Sequence, residues 1–286
     1  MAKKPVKVRA ATLDDVPGIV DVHRTDVLDG NPWLEVPSCA AHLNGFLLDG
    51  HTALVAEVGG RVVGEAEFLV ADEAPFGRVA SLNVICVHQE FRRQGVGRAL
   101  MQRAFRLARR AGAQAFHVTP APKAVTFYRR LRLELADRLV WVKCSLPATV
   151  RPVRVSPCDH QPYKAVRGLV QVFGRYISSR HTWWMTSRWC RLAGELGFLP
   201  RRFRLSVGRK RACLALEQRE RHRVRGYGWL APGGSPAMLF DRLCRLAGSQ
   251  GGRTLTTLLS RTAYERLARR FALMPDGSEV LLSRQL

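Results

Sequence analysis

The sequence has no apolar run approaching the roughly 18 residues a membrane-spanning helix needs, and Asp14 and Asp15 interrupt any secretory core behind the basic start Met1-Ala-Lys-Lys. A membrane span is therefore not expected, and the chain reads as cytoplasmic. It also lacks any Cys-x-x-Cys pair. Its seven cysteines, at 39, 86, 144, 158, 190, 213 and 244, are odd in number and lie mostly in apolar stretches, so they read as reduced core thiols. Acidic residues are scarce: 23 Asp and Glu stand against 46 Lys and Arg, a net charge of +23. Lysine is scarce too, and most of the bases are arginine. This excess reads either as the Arg-, Ala- and Gly-rich habit of the whole sequence or as a surface for a polyanion or an acidic partner.

What is present is ordinary globular material. A 47% hydrophobic and 24% charged composition over 286 residues excludes disordered, collagenous and disulfide-scaffold chains. At about 150 residues per domain this length suggests two domains, each able to bury a core. The segment Ser145-Leu-Pro-Ala-Thr-Val-Arg-Pro152 places a boundary near 148, giving domains at 1–147 and 148–286. The basic excess belongs to the second.

The two halves repeat one another. Val8-Arg9, Asp14 and Pro17 recur 145 residues later as Val153-Arg154, Asp159 and Pro162. Ala53–Val58 with Arg61–Gly64 recurs at an offset of 150 as Phe203–Val207 with Arg211–Leu214, and Phe127–Leu133 recurs at 140 as Leu267–Leu273. The offset shortens across the loop Ala71-Asp-Glu-Ala-Pro-Phe-Gly77, where a deletion costs little. Hydrophobic periodicity places first-half strands near 6–10, 53–58, 61–70, 79–87, 114–119 and 138–144, and helices near 13–24, 35–48, 95–111 and 121–131.

The segment Leu82-Asn-Val-Ile-Cys-Val-His-Gln-Glu-Phe-Arg-Arg-Gln-Gly-Val-Gly-Arg-Ala-Leu100 runs an apolar strand into a glycine turn and straight into a helix. Gly95 and Gly97 remove side chains where the backbone must approach a ligand, and the new helix presents free N–H groups, a cradle for phosphate. Neither Gly-x-Gly-x-x-Gly with a following acid nor Gly-Lys-Ser/Thr occurs here, so the dinucleotide and P-loop readings fail.

Arg92-x-x-Gly95-x-Gly97 after such a strand resembles the coenzyme-A signature of the GNAT superfamily of N-acetyltransferases. Ala115–Thr119 resembles that family's fifth strand, and Ala124-Val-Thr-Phe-Tyr-Arg-Arg-Leu131 the helix that follows it. The resemblance implies an α/β (α+β) fold of two tandem GNAT-like domains, each a mixed, mostly antiparallel sheet flanked by helices. It implies acetyl-CoA as cosubstrate and no metal. Arg92, Gln94, Gly95, Val96, Gly97 and Arg98 would hold the pyrophosphate, with Ile85, Cys86 and Val87 along the pantetheine. The Val87 N–H would polarise the thioester carbonyl and Tyr128 would protonate the leaving sulfur. The base is open, because the relevant fifth-strand position is Phe116, and a chain of waters is one alternative to any side chain. His117 beside it reads as a core histidine, while Glu65 and Glu67 share one face of the third strand, with Glu67 the candidate against the alternative of a solvated acidic face. Ala121 stands where the family has Asn, His88 where it has Pro, and Arg132 where Gly usually ends the helix.

In the second half, Pro232–Ala237 falls opposite Arg92–Gly97 and Ala268 opposite Tyr128, so that half reads as a degenerate, non-catalytic copy. Its basic stretches are Arg201–Arg204, Arg209–Arg211 and Arg219–Arg225. An extended 219–225 would set arginines 219, 221, 223 and 225 in one row about 6.6 Å apart. With Trp183, Trp184, Trp189 and Tyr227 nearby in sequence, these could serve RNA, although a solvated face is favoured. The resulting expectation is acetyl transfer to a small-molecule amine or a peptide N-terminus. The alternative is a non-enzymatic coenzyme-A sensor whose basic half docks RNA or an acidic partner.

Overall fold

The computed structural model describes residues 5–25, 32–73, 76–146, 151–159, 162–174, 178–183, 186, 201–220 and 222–286. The expected boundary near 148, together with Trp184, Trp189 and Arg221, lies outside the described residues. The elements of the first half are β1 (Lys7–Ala10), α1 (Val16–Arg24), α2 (Val36–Leu48), β2 (Thr52–Val58), β3 (Arg61–Glu73), β4 (Gly77–Val87), α3 (Val96–Arg110), β5 (Ala115–Val118), α4 (Val125–Arg130) and β6 (Glu134–Ser145). Every strand and helix read from periodicity is present, most ends shifting by only a few residues. The second half gives β7 (Ser156–Pro157), β8 (Val170–Phe173), β9 (Arg201–Val207), β10 (Lys210–Glu220), β11 (Arg223–Leu230), α5 (Pro236–Ser249), β12 (Thr254–Ser260), α6 (Arg261–Ala268) and β13 (Met274–Gln285). At the offset of 140, β6 maps end to end onto β13 and the first residue of α3 onto the first residue of α5.

The α3 helix shows why the first core forms where it does. Val96, Leu100, Met101, Ala104, Phe105 and Ala108 recur at helical spacing and are buried, while Arg98, Gln102, Arg106, Arg109 and Arg110 face water. That stripe packs on β2, β3 and β4 with Leu54, Ala66, Phe68, Phe116 and Tyr128. Each fully buried large side chain contributes about 2 kcal/mol, so this single face contributes much of the net stability of a domain. On the opposite face of the sheet, α1 and α2 cover β2 with Ile19, Val20, Cys39, Leu43 and Phe46.

The 13 strands of the described residues join one sheet, in the order β1-β2-β3-β4-β5-β13-β6-β12-β11-β10-β9-β7, with β8 beside β11. The halves exchange their last strands. After α4, β6 crosses to pair antiparallel with β12 (Leu139↔Ser260 to Ser145↔Thr254), and after α6, β13 crosses to pair with β5 (Leu282↔Val118 to Gln285↔Ala115). The exchanged strands pair with each other at the centre. The first core thus contains Leu282, and the second contains Val140, Val142 and Cys144.

A second junction lies at the end of β3. The Glu73 carboxylate accepts the backbone N–H groups of Ser179 (2.9 Å) and Arg180 (3.3 Å), and the Arg180 guanidinium donates to the Asp49 carbonyl (2.8 Å). Burial pushes the Glu73 carboxyl up to about 7, against the lowering effect of those N–H donors. A raised folded value means that the unfolded chain ionises first. Stability conferred by Glu73 is therefore complete below the ordinary glutamate range and lost as pH rises to about 7. Denaturant titrations should show the unfolding free energy falling by about 1–3 kcal/mol between pH 5 and pH 8, and Glu73→Gln should flatten that slope.

Candidate active site

The cradle begins where β4 leaves the sheet. β4 and β5 pair in parallel only over Val79–Ser81 against Ala115–His117, and beyond that point the strands part. The separation coincides with a bulge in β4: Glu67 faces Val84 and Phe68 faces Leu82, leaving Asn83 as the extra residue. His88 N–H donates to Val63 O across β3 (3.0 Å), so by antiparallel alternation Val87 and Ile85 turn their N–H and C=O groups toward the open edge. The Val87 carbonyl indeed meets a group on that side, the Arg92 Nε–H at 3.0 Å. Ile85 and Val87 are half-buried. Cys86 points to the other face, its thiol 3.8 Å from Val22 O on α1, so its contribution to the edge is backbone alone.

The turn into α3 requires left-handed backbone twice, at Arg93 (φ 60°) and at Gly95 (φ 91°). A Cβ on Gly95 would meet nothing within 4 Å, so the space above it is open, whereas one on Gly97 would lie 3.3 Å from the Phe127 ring. Val96 anchors the turn in the core, Gln94 donates to Glu90 O (2.8 Å), and Arg98 is exposed. The first N–H groups of α3, with no partners inside the helix, face this space. Phe127 stands edge-on to Tyr128, with ring centroids 5.0 Å apart. Tyr128 is 4% exposed within the cluster that Val87 and Phe127 border, and burial pushes its phenol well above the ordinary tyrosine value. It therefore stays protonated throughout the neutral range. Arg132 takes up the left-handed conformation (φ 64°) that its position demands in place of glycine.

The acids on β3 are the main surprise. Glu65 and Glu67 are both fully buried, which overturns the solvated-face alternative. Glu67 accepts His42 Nε2–H (2.9 Å) and the Asn83 amide (2.6 Å), and Glu65 Oε2 meets His23 Nε2 at 2.5 Å. The Trp33 ring stacks on His23 (5.3 Å) and meets the His42 ring at 64°. Glu65 is pushed up by burial and then by the Glu67 charge. Burial pushes on Glu67 as well, but the His42 charge and the hydrogen bonds from His42 and Asn83 outweigh it and hold Glu67 down. His23, His42, Trp33 and Asn83 went unread in the sequence. The available signal was Asn83, a polar residue inside an apolar strand. His117 behaves as a core histidine: burial lowers it to about 4, and its ring stands edge-on to Phe76.

Among the described residues, the second half begins its corresponding helix differently. Ser235 caps α5, its hydroxyl accepting Met238 N–H (3.3 Å), and Pro236 removes a donor at the first helical position. The basic-aromatic expectation also changes. Arg219 and Arg223 belong to different strands joined by a turn, so no single row forms. Arg225 stacks over Trp141 (4.8 Å), and Arg223 pairs with Glu220 and Asp276. Trp183 and Tyr227 are buried, leaving neither ring free to stack on a base. Arg202 is buried over Trp183, whereas Arg201, Arg204 and Arg209–Arg211 stay at the surface.

Residues 23–132 match the acetyltransferase (GNAT) family. No curated protein matches the chain. Among solved structures, a GCN5-related N-acetyltransferase from Anabaena variabilis aligns over 98% of this chain and 73% of its own at 13% identity and a TM-score of 0.70. One from Kribbella flavida aligns over 99% and 72% at 16% identity and a TM-score of 0.64. A tandem GNAT protein from the clavulanic acid biosynthesis pathway aligns over 98% of both chains at 16% identity and a TM-score of 0.57. Likeness at these identities speaks for the fold, which in the last case is a tandem one along its whole length.

Proposed function

We propose, from the match of residues 23–132 to the acetyltransferase (GNAT) family, that the first half transfers acetyl from acetyl-CoA to a primary amine by direct attack in a ternary complex. In this reading residues 1–147 carry the chemistry and residues 148–286 are a non-catalytic, strongly basic copy. The observation that carries the reading is the parting of β4 from β5 directly onto the N-terminus of α3. An extended pantetheine arm fits along Ile85–Val87 by strand-like hydrogen bonds, and the pyrophosphate fits the N–H groups from Gln94 to Arg98. The open space over Gly95 fits that assignment.

The chemistry needs three acts. The amine nitrogen forms a bond to the thioester carbonyl carbon. The carbonyl oxygen, now negative, is held by the Val87 N–H, a contribution of about 10²–10³ in rate for one such donor. The C–S bond then breaks and the thiolate takes a proton from the Tyr128 hydroxyl. Glu67 is the base toward which the amine proton leaves. The acceptor class is a small-molecule amine or a peptide N-terminus.

Tyr128→Phe separates a proton donor from a core aromatic, because it removes one oxygen and leaves the packing. Turnover, followed as free thiol released from acetyl-CoA with a panel of primary amines, should fall about 10–100-fold. Calorimetric affinity for acetyl-CoA should stay the same. Unchanged turnover would assign Tyr128 to packing alone.

A further inference from the structure

Four ionisable side chains lie end to end behind the β4 bulge. His23 on α1 meets Glu65 Oε2, Glu65 lies beside Glu67 on the same face of β3, and Glu67 binds His42 on α2 through both carboxylate oxygens (2.9 and 3.0 Å). Exposure of the four runs from 0% to 8%, so water does not set their charge. One atom of the set, Glu65 Oε1, is buried with no hydrogen-bond partner. A buried carboxylate oxygen left bare costs about 1–3 kcal/mol or more, a cost that a proton on the carboxyl largely removes. Two carboxyls side by side in an apolar setting cannot both ionise cheaply. Among the described residues, the other groups that face the pair are the Cys39 thiol on α2, pushed up to about 12 by burial and the nearby glutamates, the Trp33 indole, and Asn83 and Cys86 on β4. None of these offers another charge near neutral pH.

We propose that His23, Glu65, Glu67 and His42 form one buried proton-sharing chain that takes up the proton the acceptor ammonium loses, with Glu67 as its receiving end and Glu65 and His23 as its store. The inference rests on the reading of Glu67 as the base. Asn83, half-buried at the β4 bulge, donates its amide to Glu67 (2.6 Å) and ties that end of the chain to β4. In the step, the ammonium N–H bond breaks, the proton joins the Glu67 carboxylate, and the freed lone pair attacks the thioester; the second proton, lost from the nitrogen after attack, goes to the Tyr128 phenolate left once its hydroxyl has protonated the thiolate. The gained charge is then spread over the chain by proton shifts from Glu67 to Glu65 and from Glu65 to His23. A lone carboxylate is a weak base for an ammonium group, and sharing the proton among four groups is what makes this one competent. His23 and Glu65 are positioning residues in this scheme, because neither meets the substrate.

The test is a pH titration of the imidazole NMR signals, assigned with His23→Gln and His42→Gln, in wild type and Glu65→Gln. Glu65 and His42 share no direct hydrogen bond but feel each other's charge, so a His42 shift counts for the chain only together with a carboxylic-acid band that shows Glu65 already neutral in wild type. The chain expects the His42 midpoint to shift by about one pH unit in Glu65→Gln, and expects the carboxylic-acid carbonyl band of wild type at pH 8 to vanish in the same variant by infrared spectroscopy. An unshifted His42 overturns the chain. Should Glu65→Gln fail to fold, the wild-type curves decide: coupled, multi-step titration of His23 and His42 supports sharing, and two independent single steps overturn it. Thiol release by Glu67→Gln with the amine panel separates the two layers. Full turnover with coupling intact removes Glu67 as the base and the proposal with it, whereas lost turnover with no coupling removes the chain alone.

Discussion

Ending the chain at residue 273 should abolish acetyl-CoA binding by the first half, although the deleted strand begins 129 residues beyond the end of that half's own last strand, Ser145. β13 is the only strand among the described residues that β5 meets on the side away from β4. Its Leu282 is fully buried with Phe116, Val118, Tyr128 and Leu133, its Arg284 guanidinium donates to Leu131 O (2.9 Å) and lies 4.7 Å from the Phe105 centroid, and Leu286 N–H donates to Gln114 O (2.9 Å). Losing two buried leucines at about 2–3 kcal/mol each, together with the hydrogen bonds of two ladders at about 1 kcal/mol per bond, is comparable to the 5–15 kcal/mol that holds a typical domain together. Residues 1–147 alone should not recover as a monomer, because β6 is then an unpaired strand beside an unpaired β5. The equivalence of β6 and β13 offers another route: β6 of one copy can take the place of β13 in a second copy. Light scattering should therefore give a dimer or aggregate for residues 1–147, and a monomer that binds acetyl-CoA with full affinity would show that β6 can fold back onto its own half.

This exchange marks the limit of what could be read from the residues in order. Local signals were legible because their causes are local: the alternation of β4, the stripe of α3 and the glycine at φ 91° each depend on neighbours a few positions away. The repeat was legible because equal offsets survive divergence. Strand partners were not, since an apolar strand such as Val140–Cys144 reads the same whether its neighbour is β5 or β12. The site shows the same division. Gly95 and Gly97 open α3 and Tyr128 sits on α4, placements that follow from local pattern, whereas the partners of Glu65 and Glu67 come from helices 42 and 25 residues upstream, and single histidines on amphipathic helices carry no mark of what they will meet. The alternation rule did place Glu65 and Glu67 on one face. It could not tell that α1 and α2 would cover that face.

Titration with acetyl-CoA should give one site per chain, not two, for a reason that goes beyond the prolines before α5. In the second half β11 and β12 pair in parallel only over Arg223–Arg225 against Thr254–Thr256 and then part, as β4 and β5 do. Here the gap is filled by the chain itself. β8 pairs antiparallel with the edge of β11 (Gly228↔Phe173, Leu230↔Val170), and Gly174 N–H reaches across to Leu258 O on β12 (3.0 Å). Residues 226–230 are consequently all buried, where Ile85 and Val87 stay half-open. The fit is close: a Cβ on Gly228 would lie 2.6 Å from the Phe173 ring, and one on Gly174 2.3 Å from Tyr227. A ligand entering this slot would have to displace a paired strand and its apolar contacts, a cost that the pantetheine contacts replacing them cannot exceed. Gly97→Leu in the first half drives a branched side chain toward Phe127 and across the N–H groups of α3, and should weaken acetyl-CoA binding at least about 100-fold, leaving no second, weaker site in the calorimetric isotherm. Ser235→Gly should leave the stoichiometry at one, because freeing the α5 cap does nothing to remove β8. A residual site in Gly97→Leu would mean that β8 yields to ligand, and the second half would then be a second binding domain.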